Sequence, residues 1–300
     1  MKIIVFTDAD LDGSMSYTIL NWCTRNQLPY VVTTVTKFRD DYIAWSRKNN
    51  PSEFDKIIIL DLDISQQSLD LIDKPNVHVV DHHKTHVENK SKYKLANINI
   101  EEYSSCAKLL YKIYKQKLDK VLSPAQKKLL LLVDDYDSWS HRYPQSKQLN
   151  YIFWNYQGDR LSKFLKDFSS GFTGFTNTHN KIINFYELKL KKIISNLSYH
   201  QADISIQKQQ CNCVCTFADK MISDIGNHLV EDIGADIAFV VNPESNRVSI
   251  RKNNNTAVDV GKLAKMLIDG GGHDAASGGV CTEKFLEFSK LFSPVNYGRE

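Results

Sequence analysis

The stretch Val77-His78-Val79-Val80-Asp81-His82-His83 decides how the rest of the chain is read. Alternate side chains of a strand point to opposite faces, so two neighbouring imidazoles converge on one cleft only if the chain leaves its sheet near Asp81. That puts the triplet on a loop at a strand's C-terminal edge, where open α/β sheets hold their ligands. Three adjacent side chains of metal-binding type there point to a metal site. A solvated polar turn is the competing reading, and the remaining sequence decides between them.

Working outward, Asp8-Ala9-Asp10-Leu11-Asp12-Gly13 follows the apolar run Ile3-Ile4-Val5-Phe6 and sets three carboxylates at alternate positions. Anions this close repel unless a cation sits among them. A calcium loop of the EF-hand type would need a Glu at its twelfth position, but that place holds Ile19 counting from Asp8, or Asn21 counting from Asp10. Ile57-Ile58-Ile59-Leu60-Asp61-Leu62-Asp63 repeats the pattern of carboxylate after strand. A fourth acidic group, Asp134-Asp135-Tyr136-Asp137-Ser138-Trp139, closes a helix opened by Ser123-Pro124. Acids at a helix C-terminus oppose the macrodipole, and a cation would compensate them. Together the four clusters favour a two-metal site.

The β-branched runs Ile3–Phe6, Val31–Val35, Ile57–Leu60 and Val77–Val80 alternate with stretches long enough for helices, which predicts a parallel sheet covered on both faces. Helices are predicted at Ser14–Thr24, Cys106–Lys117 and Ser123–Val133. Apolar residues between Ile182 and Leu197 trace a connecting helix, and strands then restart at Val214–Phe217, Ile237–Val241 and Arg247–Ile250, with helices near Met221–Val230 and Val258–Ile268. The expected fold class is α/β: a larger N-terminal domain with a mainly parallel sheet flanked by helices (1–178), a linker helix (179–200) and a smaller C-terminal α+β domain (201–300), with the active-site cleft between the domains.

With 42% hydrophobic residues among 300, the chain can bury a full core, and disorder is not expected. Its net charge of only +3 excludes coating of nucleic acid by bulk charge, so any polyanion must be met locally. Six cysteines without a CxxC pair suit a reduced, cytoplasmic protein. Cys211, Cys213 and Cys215 alternate, which places them on one strand face as small hydrophobes. Met1-Lys2 runs directly into the first strand, so no signal peptide is expected, and no apolar stretch is long enough for a membrane span. Tyr151, Phe153, Trp154 and Tyr156 form an aromatic group that suits core packing more than base stacking.

These motifs, in this order, resemble the four motifs of the DHH phosphoesterases, and Gly270-Gly271-Gly272-His273-Asp274-Ala275-Ala276-Ser277-Gly278-Gly279 resembles the signature of the DHH-associated C-terminal domain. The likeness is nearest to members that degrade short oligoribonucleotides, with one departure: Asp8 stands where those members have a histidine. An oxygen ligand there should shift preference toward manganese or magnesium and away from zinc. The resemblance implies two divalent ions, manganese with magnesium as the alternative. Asp8, Asp10, Asp12, Asp61 and His82 would be ligands, Asp61 would bridge, and either Asp135 or Asp137 would complete one shell. Asp81 would orient an imidazole. His83, Arg251, Gly271, Gly272 and His273 would meet the substrate.

The activity so implied is hydrolysis of short single-stranded oligonucleotides, RNA before DNA. A RecJ-type DNA exonuclease, a cyclic-dinucleotide phosphodiesterase and a 3′-phosphoadenosine nucleotide phosphatase are alternatives within the same chemistry. A non-catalytic nucleotide binder is the alternative from another class, and a homodimer is allowed.

Overall fold

The computed structural model describes residues 1–272 and 274–294. The chain runs β1 (Ile3–Asp8), α1 (Leu11–Thr24), β2 (Tyr30–Thr33), α2 (Phe38–Ser46), β3 (Lys56–Leu60), α3 (Leu69–Ile72), β4 (Val77–Asp81), α4 (Lys84–Asn89) and β5 (Asn97–Ile100). Helices α5 (Cys106–Ile113), α6 (Lys115–Val121), α7 (Pro124–Asp137), α8 (Pro144–Asn155), α9 (Arg160–Phe168) and α10 (Asn177–Ile194) follow. Within α10 the chain divides into two compact units, Met1–Ile183 and the part from Asn184 onward.

In the first unit all five strands are parallel, in the order β2-β1-β3-β4-β5. Period-two burial covers both faces. Ile4, Phe6, Ile57, Ile59, Val77 and Val79 pack with Phe38 and Tyr42 of α2 on one face. Ile3, Val5, Ile58, Leu60 and Val80 pack with α1, α5 and α7 on the other. After β1 the chain adds β2 on one side and β3 on the other, so the loops leaving β1 and β3 diverge. This is the switch point at which doubly wound sheets open a ligand crevice.

Two sequence-based boundaries change for local reasons. The helix expected over Cys106–Lys117 breaks at Tyr114, which caps α5 with a non-helical backbone and opens α6. The helix outlined at 179–200 is α10, displaced at both ends. Thr176 Oγ1 accepts from His179 N at 3.1 Å and starts it earlier. At the other end, Ser195 Oγ and Asn196 Nδ2 donate to the Lys192 carbonyl at 3.0 and 2.8 Å and end it.

The second unit holds β6 (Tyr199–Ile206), β7 (Gln209–Phe217), α11 (Ile222–Glu231), β8 (Ile237–Asn242), β9 (Arg247–Lys252), α12 (Val260–Leu267), β10 (Gly271–Gly272), β11 (Ala276–Val280), α13 (Glu283–Ser289) and β12 (Ser293–Pro294). Its mixed sheet has the order β10-β11-β9-β8-β7-β6-β12, with only β7 and β8 parallel among the described pairs. Cys211, Cys213 and Cys215 lie buried on one face of β7 beside Phe239 and Ile250, while Val214 packs on the other face against α11. Among the described residues no helix is long and apolar enough to cross a membrane.

Gly13 brings α1 against β1. A Cβ there would lie 2.5 Å from the Asp8 carbonyl oxygen, and Thr7 Oγ1 donates to the Gly13 carbonyl at 2.6 Å. Gly13→Ala should therefore destabilise the protein by about 1–3 kcal/mol, the usual cost of overpacking. Urea unfolding measures this, and unchanged stability would mean that the β1–α1 contact yields without cost.

Candidate metal centre

The acidic and imidazole side chains gather at the C-terminal ends of β1, β3 and β4. Asp61, one residue beyond β3, has φ of 60°, a left-handed conformation that Asp tolerates better than most residues. Its amide donates to the Val80 carbonyl at 3.0 Å, which ties the turn to β4. His82 Nε2 lies 3.4 Å from Asp61 Oδ1, 3.5 Å from Asp137 Oδ2 and 3.8 Å from Asp12 Oδ2. Two overlapping groups have ligand atoms close enough to share an ion: Asp61, Asp81, His82 and His83, and Asp12, His82 and Asp137. His82 belongs to both.

Each member is held from behind. His82 Nδ1 is 3.1 Å from the Tyr103 carbonyl, which fixes the ring and turns Nε2 into the cluster. Asp12 accepts from the first amides of α5, Cys106 N at 2.6 Å and Ala107 N at 3.1 Å. A helix N-terminus favours that negative charge. The loop that supplies both supports is itself pinned: Ser104 and Ser105 donate to Asp134 of α7, and Ser105 caps α5.

Asp81 orients two imidazoles, accepting from His83 Nδ1 at 2.8 Å and His86 Nδ1 at 2.6 Å. His86, fully buried, continues to the Tyr93 hydroxyl at 2.7 Å. Sequence reading omitted His86 and the Tyr103–Ser105 loop. His86 follows the triplet by one helical turn, a spacing that could have flagged it. A backbone carbonyl has no residue-type signature at all.

Asp135 and Asp137, which sequence left as alternatives, point to different places. Asp135 accepts from the amides of Arg142 and Tyr143 at 3.0 and 3.1 Å and so fastens the loop after α7. Asp137 faces His82. Asp63 binds Ser65 and Thr85, joining the β3 loop to α4. Asp10 caps α1 through Gly13 N at 2.8 Å, and Asp8 accepts from Ala9 N at 2.6 Å. Asp8 and Asp10 fall outside the two compact groups and flank them.

In the second unit Arg251 donates through Nη2 to Ser223 Oγ at 2.9 Å, and its stem lies against Gly226. Gly271 and Gly272 form β10 against β11. Close packing alone requires glycine in this region: a Cβ on Gly272 would sit 2.5 Å from the Ala276 carbonyl, and one on Gly270 would sit 2.1 Å from that of Gly278. His273 lies outside the described residues. In the aromatic group Tyr151 and Phe153 are buried, whereas Trp154 is exposed under the Arg160 guanidinium.

The electrostatics ask for a cation. Burial, followed by the neighbouring Asp137, holds the Asp12 carboxyl well above the ordinary carboxylate range. Burial with Asp12 and Asp10 does the same to Asp61. Burial pushes Asp8 and Asp137 up to about 8, and Asp10 adds to both. Burial disfavours charged imidazoles, but Asp61 and Asp81 outweigh it, lifting His82 to about 9 and His83 to about 10. Asp81 stays well below the usual range because His83 and His86 overcome the effect of its burial. Asp61 Oδ1 and Asp137 Oδ2 are buried and accept no hydrogen bond of ordinary geometry. Such oxygens fit a hard divalent ion.

Residues 2–133 match the family described as DHH family, N-terminal domain. No curated protein matches the sequence. Among solved structures, the chain is similar to the pGpG-specific phosphodiesterase PggH from Vibrio cholrae, at 13% identity and a TM-score of 0.55, covering 97% of this chain and 96% of that one. It is also similar to RecJ in complex with Mn2+ from Thermus thermophilus, at 14% identity and a TM-score of 0.53, covering 96% of this chain and 50% of that one. At these identities the likeness establishes the fold.

Without a cation, the raised carboxyls and imidazoles bind more protons in the folded state than in the unfolded chain. For Asp8 and Asp137 this holds from the ordinary carboxylate range up to about 8, and for His82 and His83 from the ordinary imidazole value up to about 9 and 10. Stability in EDTA should therefore fall as pH rises through these windows. Melting curves should show a declining Tm that manganese flattens by replacing the protons. A Tm that climbs with pH in EDTA, or ignores manganese, would contradict this electrostatic picture.

Proposed function

We propose that the chain is a metal-dependent phosphodiesterase that hydrolyses short single-stranded oligonucleotides, RNA before DNA. The observation that carries the reading is the convergence of Asp12, Asp61, Asp137 and His82 around buried oxygens that lack a compensating donor. Asp61 stands in one of the two groups, 3.4 Å from His82, which belongs to both, and would be the bridging ligand as the family resemblance implies, with Asp8 and Asp10 extending the set on one flank. Two divalent ions held there would supply positive charge to phosphoryl oxygens and acidify water, so no protein nucleophile is required.

The protein's own groups have distinct tasks. Asp12 and His82 are preset by α5 and by the Tyr103 carbonyl, so little reorganisation accompanies reaction. His83, held through Nδ1 by Asp81 and about one-third exposed, would meet a phosphate oxygen. Arg251 and the Gly271-Gly272 backbone of the second unit would grip substrate. Similarity to a pGpG-specific phosphodiesterase along nearly its whole length supports a substrate at the short end of the range. The reduced, cytoplasmic setting suggested by the cysteines is compatible with such a substrate.

With manganese present, short RNAs should be degraded in preference to a long DNA strand or a cyclic dinucleotide offered in parallel. Asp61→Ala should lower turnover by about a hundredfold or more, the scale of losing one preorganised charge-stabilising group, while its melting curve in EDTA stays cooperative. Substantial residual turnover would remove Asp61 from the bridging position. Tight retention of ligand without turnover of any of these substrates would instead identify a binding protein.

Asp8→His should retain or raise activity, since imidazole can take the same place on a divalent ion. Complete inactivation, read in the same assay, would show that the carboxylate at position 8 has a task that imidazole cannot fill.

A further inference from the structure

A cavity of about 770 Å³ lies in the first unit at the C-terminal end of α1 and is separate from the metal centre. Its volume falls within the roughly 300–1,000 Å³ of small-molecule sites. Helix α1 starts beside the metal centre with Asp10 and Asp12 and is 14 residues, about 21 Å, long; Asn21, Trp22 and Arg25 at its other end line this cavity.

The lining has one sign of charge. Arg25, Lys120 and Lys166 contribute three cations, and no lining residue is a carboxylate. Among the described residues none of the three makes an ion pair. Their nearest acidic neighbours in sequence are engaged elsewhere, Asp119 with Tyr111 and Lys127, and Asp167 with Tyr156 and His179. For a chain whose net charge is only +3, three uncompensated cations around one concavity form a local field that draws anions. The walls also offer apolar surface from Trp22, Leu122 and Leu165, together with the polar side chains of Asn26, Gln126 and Ser162. A simple inorganic anion would use the charge and leave the apolar wall uncovered.

Arg25 adds a second indication. It ends α1 in the left-handed conformation, φ 59°, where glycine is the favoured residue. Arg25 is itself one of the residues that line the cavity.

We propose that this cavity is a second ligand site for a mononucleotide-class anion, its phosphate met by Arg25, Lys120 and Lys166 and its base by the Trp22 wall. The site is independent of hydrolysis at the metal centre.

The test is calorimetric titration of the full chain, in EDTA, with AMP and with orthophosphate. Parent protein should bind one AMP per chain and bind orthophosphate about tenfold more weakly or worse. Lys120→Glu combined with Lys166→Glu, both exposed positions, should weaken AMP about tenfold or more with an unchanged melting curve, whereas Asp61→Ala should bind AMP like the parent. Trp22→Phe should remove any fluorescence change on binding. Absence of AMP binding by the parent, parent-like affinity in the charge-reversed variant, loss of binding in Asp61→Ala, or equal affinity for orthophosphate and AMP would each overturn the assignment.

Discussion

The repulsion among carboxylates buried together at the C-terminal edge of β1, β3 and β4 is the constraint around which the first unit is organised. Isolated anions so deeply buried would be driven to take up protons, and Asp12 and Asp61 are displaced in that direction. What keeps them in place is a set of contacts facing away from the cluster: the N-terminus of α5 on Asp12, the Tyr103 carbonyl on His82, and the pair of imidazoles on Asp81. The cluster is thus rigid on its outer side and short of positive charge on its inner side. That combination distinguishes it from a solvated acidic loop.

The sheet explains why these groups meet. Strand order β2-β1-β3-β4-β5 reverses direction beside β1, so the loops after β1 and β3 diverge and leave room between them. β4 delivers Asp81 and His82 to the neighbouring strand end, while α7 brings Asp137 from outside the sheet. Helix α7 also sends Asp134 to the Ser104–Ser105 loop and Asp135 to the loop that follows, so one helix end serves three purposes with three carboxylates.

Elements buried on both faces were readable because their apolar runs are continuous, or in β4 broken only by the half-buried His78: β1, β3 and β4 were found within two residues of their observed ends. β5, with the sequence Asn-Ile-Asn-Ile, and β6, whose exposed and half-buried positions alternate, lack such a run and were missed. β10 and β12 are two residues each, too short for any periodicity to register. The alternating cysteines of β7 were legible because a period of two specifies one face whatever the partner strands are.

Sequence alone determined the kinds of chemical group at each strand end and their order along the chain, since a hydrophobic run followed by Asp or His marks where a parallel strand stops. Only the tertiary structure decided which of those groups converge. Asp12 finds its support 94 residues away at Cys106, and Asp135 and Asp137, two residues apart, are sent to a loop and to the cluster respectively. The direction a carboxylate takes depends on backbone amides and carbonyls brought near it by packing, and every residue carries the same such groups.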